Sequence, residues 1–278
     1  MKNNIIWIAS YPKSGNTMIR SFLAAYFFTK DGVLNDFLPL KNIANYNAFK
    51  NYRYIKKFPD LNFFKKNPSL ISEYWQINQK IINNKTDKEV VFFKTHNARI
   101  KYNSKYFTNQ NLTRCFIYIV RDPRSVVLSS KIHYGFKNND EAVKVLLSDK
   151  WLSYASEKPK LLPEFILSWK TNFLSWQNFY AKNKNNGIII RFEDLVIDPE
   201  KFFTILIKFL ANHLNFSINK NKLSNSIKSI YFDRLKSMEN KIGFVEKSKK
   251  SNHFFRKGQL NEWENSLEDE LKRKIIIN

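Results

Sequence analysis

The chain has one cysteine, Cys115, in 278 residues, which excludes an internal disulfide pair and a cysteine-rich zinc pattern. Neither a His-x-x-x-His spacing nor H-E-x-x-H occurs, so no zinc-protease motif is present. G-x-S-x-G is also missing, which removes the nucleophile elbow of the serine hydrolases. Glycine and proline are scarce, at six and eight residues, and no glycine- or serine-rich stretch divides the chain. Residues 1–278 are therefore expected to form one domain with a sizeable core. No apolar run approaches the roughly 20 residues of a transmembrane helix, and the N-terminal run is too short for a signal sequence. With a lone cysteine, the cytoplasm is the default location. Acidic residues are few, 24 against 47 basic ones, which leaves a net charge of +23. Such a surface attracts polyanions. Lysine dominates the basic residues, though, and no nucleic-acid motif accompanies them, so a specific nucleic-acid partner is not expected. Abundant Lys, Asn and Ile together also fit an A/T-rich coding composition.

What the chain does contain begins near its start. The apolar run Ile5, Ile6, Trp7 and Ile8 reads as a strand, and Met18 to Phe28 has helical periodicity, with Ile19, Phe22, Leu23 and Tyr26 on one face. Between them lies Tyr11-Pro12-Lys13-Ser14-Gly15-Asn16-Thr17. A strand, a tight loop and a helix N-terminus build an anion site, because backbone N–H groups and the helix dipole converge there. Lys13, Ser14 and Thr17 add a cation and two hydroxyls. The alternative is an ordinary turn with a solvent-facing lysine. A Walker A loop is excluded, since its lysine follows the last glycine and Lys13 precedes Gly15.

Three further segments belong with this loop. Residues 116–120 read as a buried strand, followed by Arg121, an N-cap at Asp122 and a first-turn proline at Pro123. Arg121 would stand at the carboxyl end of a strand, where ligands gather in open α/β sheets. Ser125 and Ser129 share a helix face, and the alternative for Arg121 is an ion pair with Asp122 or Glu193. Near the C-terminus, Phe254-Phe255-Arg256-Lys257-Gly258 precedes Trp263. Lys94-Thr95-His96 follows the apolar run Val90 to Phe93, and a neutral imidazole there is a candidate general base. His133, His213 and His253 read as structural. Phe165, Trp169, Phe173, Trp176 and Tyr180 form an amphipathic core helix, Ile188–Ile190 another strand, and Asp198-Pro199-Glu200 a helix start with Phe203, Leu206, Ile207 and Leu210 inward.

The order Y-P-K-S-G-N-T, R…S, K-T-H and R-K-G resembles the sulfotransferases that use 3′-phosphoadenosine 5′-phosphosulfate, over Ile5 to about Leu267. The resemblance implies an α/β fold with a central, mostly parallel sheet flanked by helices and a P-loop-like 5′-phosphosulfate loop. It implies that Lys13, Ser14, Gly15, Asn16 and Thr17 hold the phosphosulfate end of the donor, with Met18 standing where the family's tryptophan stacks on the adenine. Arg121 and Ser129, eight apart, and Phe255, Arg256, Lys257 and Gly258 hold the 3′-phosphate end. Asn261 and Glu262 replace a usual glycine and aspartate, and the left-handed tolerance of asparagine preserves the turn. His96 is the implied base, Lys94 touches the transferring sulfuryl group, and Lys13 sits where negative charge grows on the leaving phosphate oxygen. Phe232, with Tyr231, flanks the adenine, and Phe192 replaces a tyrosine whose hydroxyl would reach the nucleotide. No metal is required, and the product is adenosine 3′,5′-bisphosphate.

The acceptor, a small molecule or glycan with a hydroxyl or amine, is not specified. Residues 31–88 and 133–165 match no motif and are assigned to acceptor binding and lid structure. Their aromatics (Phe37, Tyr46, Phe49, Tyr52, Phe63, Phe64, Tyr74, Trp75, Trp151, Tyr154) line a pocket or fill the core. The dimer signal of many cytosolic relatives is missing, so oligomeric state stays open. The competing readings are a P-loop phosphotransferase or kinase, and a non-catalytic basic protein binding nucleotide or polyanion.

Overall fold

The computed structural model describes residues 3–85, 89–157 and 159–277. Ile5–Ser10 (β1) is buried at all six positions, the pattern of a strand covered on both faces. It sits inside a parallel sheet with Ala44–Asn45 (β2), Val91–Thr95 (β3), Thr113–Val120 (β4) and Gly187–Arg191 (β5), in the order β2-β3-β1-β4-β5. The register of β1 on β3 pairs Ile5 with Val91 and Ala9 with Thr95. Ser10 at the end of β1 and His96 just past β3 therefore come side by side.

The chain falls into two compact units whose segments alternate along the sequence. The first comprises the chain through Tyr11, Ala44–Tyr118 and Ser148–Ile189. Its core is aromatic: Trp7 meets Tyr46 edge-on at 4.9 Å and Phe107 at 5.1 Å, and Trp75 meets Phe165 at 5.0 Å. Tyr46, Tyr52, Phe64 and Trp75 are fully buried, so these candidate pocket residues are core, whereas Tyr154 is 81% exposed. Of the segments assigned to the acceptor, residues 86–88 and 158 lie outside the described residues, as do Met1, Lys2 and Asn278 of the expected domain.

One helix starts later than its periodicity implies. Trp169–Lys182 begins at Trp169 because Ser168 caps it, its hydroxyl accepting from the Thr171 N–H, and Leu167 before the cap is left-handed at φ 62°. Phe165 is buried but lies outside the helix, in the irregular segment that precedes it.

The second unit comprises Pro12–Ile43, Ile119–Leu147 and the chain from Ile190 onward. Helix Asn16–Phe28 buries Ile19, Phe22, Leu23 and Tyr26, and Phe22 packs on Phe203 of helix Pro199–Leu214 at 4.3 Å. Helix Pro123–Tyr134 is capped by Asp122, and helix Phe232–Ile242 ends at Gly243. Among the described residues no helix is long and apolar enough to cross a membrane.

Candidate active site

The loop after β1 turns twice through left-handed backbone, at Lys13 (φ 67°) and Gly15 (φ 99°). Gly15 adopts this freely, while Lys13 stores strain on the order of 1–3 kcal/mol. Turns of this kind gather backbone N–H groups into an anion-binding concavity. Ser14 is fully buried, and among the described residues its hydroxyl has no hydrogen-bond partner. An unmet buried hydroxyl costs about 1–3 kcal/mol, which a bound anion would relieve. The loop therefore fits a phosphate or sulfate group. The half-buried Met18 donates its N–H to the Gly15 carbonyl at 3.0 Å, in the first turn of the helix.

Phe192 explains why position 15 is glycine, since a Cβ there would fall 2.3 Å from its ring. The same ring carries the Arg121 guanidinium at 4.5 Å, and Arg121 Nη1 donates to the Lys13 carbonyl at 3.1 Å. Arg121 thus braces the loop by its backbone. Burial lowers its pKa, partly offset by Glu193, Asp122 and Glu262. The Asp122 carboxylate pairs with Arg124 at 2.6 Å, and Glu193 accepts the Asp122 N–H at 2.9 Å. At the helix start, Glu246 accepts from the Thr17 hydroxyl at 3.3 Å and pairs with Arg20 at 2.6 Å.

The basic C-terminal segment is pinned by a residue that the sequence reading missed. Buried Glu239 accepts the N–H groups of Phe254 and Phe255 at 2.7 and 2.9 Å, one on each carboxylate oxygen. Gly258 (φ 66°) lies against Phe232, whose ring a Cβ would approach to 2.5 Å, so the residue expected at the adenine packs on the R-K-G turn. Asn261 is left-handed at φ 57°, as its side chain permits. Glu262 pairs with both Arg256 and Lys257. Burial pushes its pKa up, but the bonds from Arg256 and Lys257 outweigh that and hold it below the usual carboxylate value.

Lys13, Ser129 and Arg256, drawn from three separate motifs, line one small recess open to solvent. Phe254 forms part of its wall, with the Lys13 ammonium 4.4 Å from the ring centroid. His133 and His253, read from sequence as structural, also line it. His213 is bound to its own helix, with Nδ1 2.8 Å from the Phe209 carbonyl.

His96 lies in the first unit. Its Nδ1 is 2.8 Å from the Ser10 carbonyl oxygen and 3.3 Å from the Ser10 hydroxyl. A carbonyl only accepts, so the neutral ring carries its proton on Nδ1 and its lone pair on Nε2. The backbone around the ring is held from both sides. The His96 N–H donates to Glu164 Oε1 at 2.8 Å, and the His96 carbonyl accepts from Asn172 Nδ2 at 3.0 Å. Asn172 also donates to the Ile166 carbonyl and accepts from the Tyr118 hydroxyl. Trp176, one turn later, donates to the Asn97 carbonyl at 3.0 Å. Glu164 is buried; burial raises its pKa against the opposing His96 N–H, the Lys94 charge and the Thr95 hydroxyl. Sequence offered one signal for this network, an asparagine on the inward face of an apolar helix, and none for Glu164. Among the described residues no three metal-ligating side chains come together.

Solved structures of similar fold include mouse sulfotransferase SULT7A1 complexed with PAP, at 18% identity and a TM-score of 0.59, covering 100% of this chain and 82% of that one. Retinol dehydratase in complex with androsterone and inactive cofactor PAP is similar at 15% identity and a TM-score of 0.62, covering 100% and 80%. Retinol dehydratase with retinol and PAP is similar at 17% identity and 0.59, covering 99% and 79%. At these identities the likeness shows the fold. No curated protein matches the chain. Residues 3–276 match the family described as the sulfotransferase domain, and the chain therefore belongs to the sulfotransferase family.

Proposed function

We propose that the protein transfers a sulfuryl group from 3′-phosphoadenosine 5′-phosphosulfate to the hydroxyl of a small-molecule acceptor. The observation that carries this reading is the convergence of Lys13, Ser129 and Arg256 on one recess beside a loop with a buried, unmet serine hydroxyl. Three anion-binding motifs meeting in one place are what a donor with charge at both its 5′ and 3′ positions requires. PAP in the similar structures supports the same donor, and the retinol and androsterone bound by retinol dehydratase support an acceptor bearing a hydroxyl. A family match running through both compact units supports reading them as one domain. The lone, buried Cys115 is consistent with a reducing, cytoplasmic setting.

The donor supplies an activated sulfuryl group on a good phosphate leaving group. Ser14, the loop N–H groups and Lys13 hold its phosphosulfate end, and Ser129 and Arg256 its 3′-phosphate. Lys13 brings positive charge to the leaving phosphate, where preorganised charge acts mainly on the transition state. His96 takes the acceptor hydroxyl proton on Nε2, and the imidazolium that forms keeps its Nδ1–H bond to the Ser10 carbonyl. Lys94, half-buried two residues earlier, is assigned to the transferring group.

Thermal shift with adenosine 3′,5′-bisphosphate and with ATP plus magnesium tests the reading. At a hundredfold excess over its dissociation constant, the bisphosphate should add about 2.7 kcal/mol of stability. ATP at the same concentration should do much less, because charge-assisted bonds to the 3′-phosphate contribute about 1.5–3 kcal/mol each. Equal shifts would favour a phosphotransferase.

A further inference from the structure

The recess that gathers Lys13, Ser129 and Arg256 is also lined by two histidines that no sulfotransferase motif of this chain includes. His133 stands four residues after Ser129 on helix Pro123–Tyr134, so both project from one face. His253 stands three residues before Arg256, and its backbone is fixed by the Ser251 hydroxyl, which donates to the His253 carbonyl at 2.6 Å. Both residues line the recess with Ser129 and Arg256. Phe254, next to His253 in sequence, stands edge-on to His133 at 6.5 Å and is anchored through its N–H by Glu239. The demand for extra donors follows from Glu262, which already engages Arg256 and Lys257. Arg121, the third expected cation, donates to the Lys13 carbonyl and is not among the residues lining this recess.

We propose that His133 and His253 are donor-binding residues that hydrogen-bond the 3′-phosphate, completing a seat shared with Ser129 and Arg256. This rests on the donor assignment above and extends it to two residues. Each imidazole offers an N–H to a phosphate oxygen, and as an imidazolium it also offers charge. The seat therefore discriminates a nucleotide with a 3′-phosphate from one without it.

The test is calorimetric titration of the full chain with adenosine 3′,5′-bisphosphate and, in parallel, adenosine 5′-monophosphate, which lacks only the 3′-phosphate. His253→Ala and His133→Ala should each weaken the bisphosphate about tenfold or more and leave the monophosphate within twofold of wild type. His133→Gln, which keeps bulk and a donor beside Phe254, should recover part of the loss and covers the case in which His133→Ala fails to fold. Equal weakening of both nucleotides, or an unchanged bisphosphate affinity in folded His253→Ala and His133→Gln proteins, would overturn the assignment. A wild-type protein that binds the two nucleotides equally would remove the donor reading itself, and the two histidines with it.

Discussion

The surroundings of His96 and the donor recess are held by opposite means. Around His96 the bonds come from buried groups: the Glu164 carboxyl and the uncharged Asn172, Trp176 and Asn97 tie backbone to side chain with little solvent access. In the donor region the bonds are ionic, and all but the buried Arg20 are partly exposed: Arg256 and Lys257 on Glu262, Arg20 on Glu246, Arg124 on Asp122. A base must hold one proton on one nitrogen through every turnover, and buried amide bonds do this without dependence on salt. A donor site must exchange a highly charged ligand for its product. Internal carboxylates that pair with the binding cations provide partners that an incoming phosphate can replace.

The largest effect expected from this contrast is at His96. His96→Ala should lower turnover about 10²- to 10⁴-fold while bisphosphate affinity stays near wild type. Steady-state rates with labelled donor, after an acceptor screen, and calorimetry on the same protein check both halves. A folded variant with normal turnover would move the base elsewhere, and buried Glu164 would be examined next.

Within the donor region, Lys13 and Arg121 should separate. Lys13→Ala removes charge that acts on the transition state and should lower kcat about 10²- to 10³-fold. Arg121→Ala should chiefly raise the donor KM, about ten- to hundredfold, through lost phosphate binding or a slackened loop. A kcat loss for Arg121→Ala equal to that of Lys13→Ala would show that bracing the Lys13 carbonyl is its main task.

Glu164 probes the buried side of the comparison. Its folded pKa is raised by burial, so its contribution to stability is fully present below the unfolded glutamate value of about 4.3 and is lost as pH rises through the folded value. Glu164→Gln keeps an oxygen to accept the His96 N–H and does not titrate. The variant should therefore match wild type near pH 4 and exceed it in melting temperature near pH 8. A variant less stable at both pH values would mean that the ionised carboxylate is the form that holds this backbone.

The smallest effect belongs to Glu262. Glu262→Gln should release Arg256 and Lys257 and tighten bisphosphate binding by up to about fivefold at low ionic strength, with the gain shrinking as salt is added. Weaker binding would mean that Glu262 orients these cations for the ligand instead of competing with it.

Local chemistry made much of this legible. The loop from Lys13 to Thr17, the cap at Asp122, the left-handed Asn261 and the buried faces of helices Asn16–Phe28 and Pro199–Leu214 all follow from propensity, capping and periodicity, which act over a few residues. Phe165 did not, because a helical spacing does not reveal that Ser168 ends the pattern with a cap. Long-range pairing was hidden altogether. Glu239 on the amides of Phe254 and Phe255, Glu164 on His96, and Phe192 under Gly15 join residues 15 to 177 positions apart, and no spacing rule encodes them.

The sequence alone determined the chemistry: which cations, hydroxyls and imidazole are available, and that they sit at strand ends and helix starts, where anions bind. Only the tertiary structure decided their states. It placed the His96 proton on Nδ1 by setting the ring against the Ser10 carbonyl, and it brought His133 and His253 to the recess. The physical reason is that a proton's position and a phosphate's seat depend on groups within about 3 Å, and strand register and packing, not chain order, choose those groups.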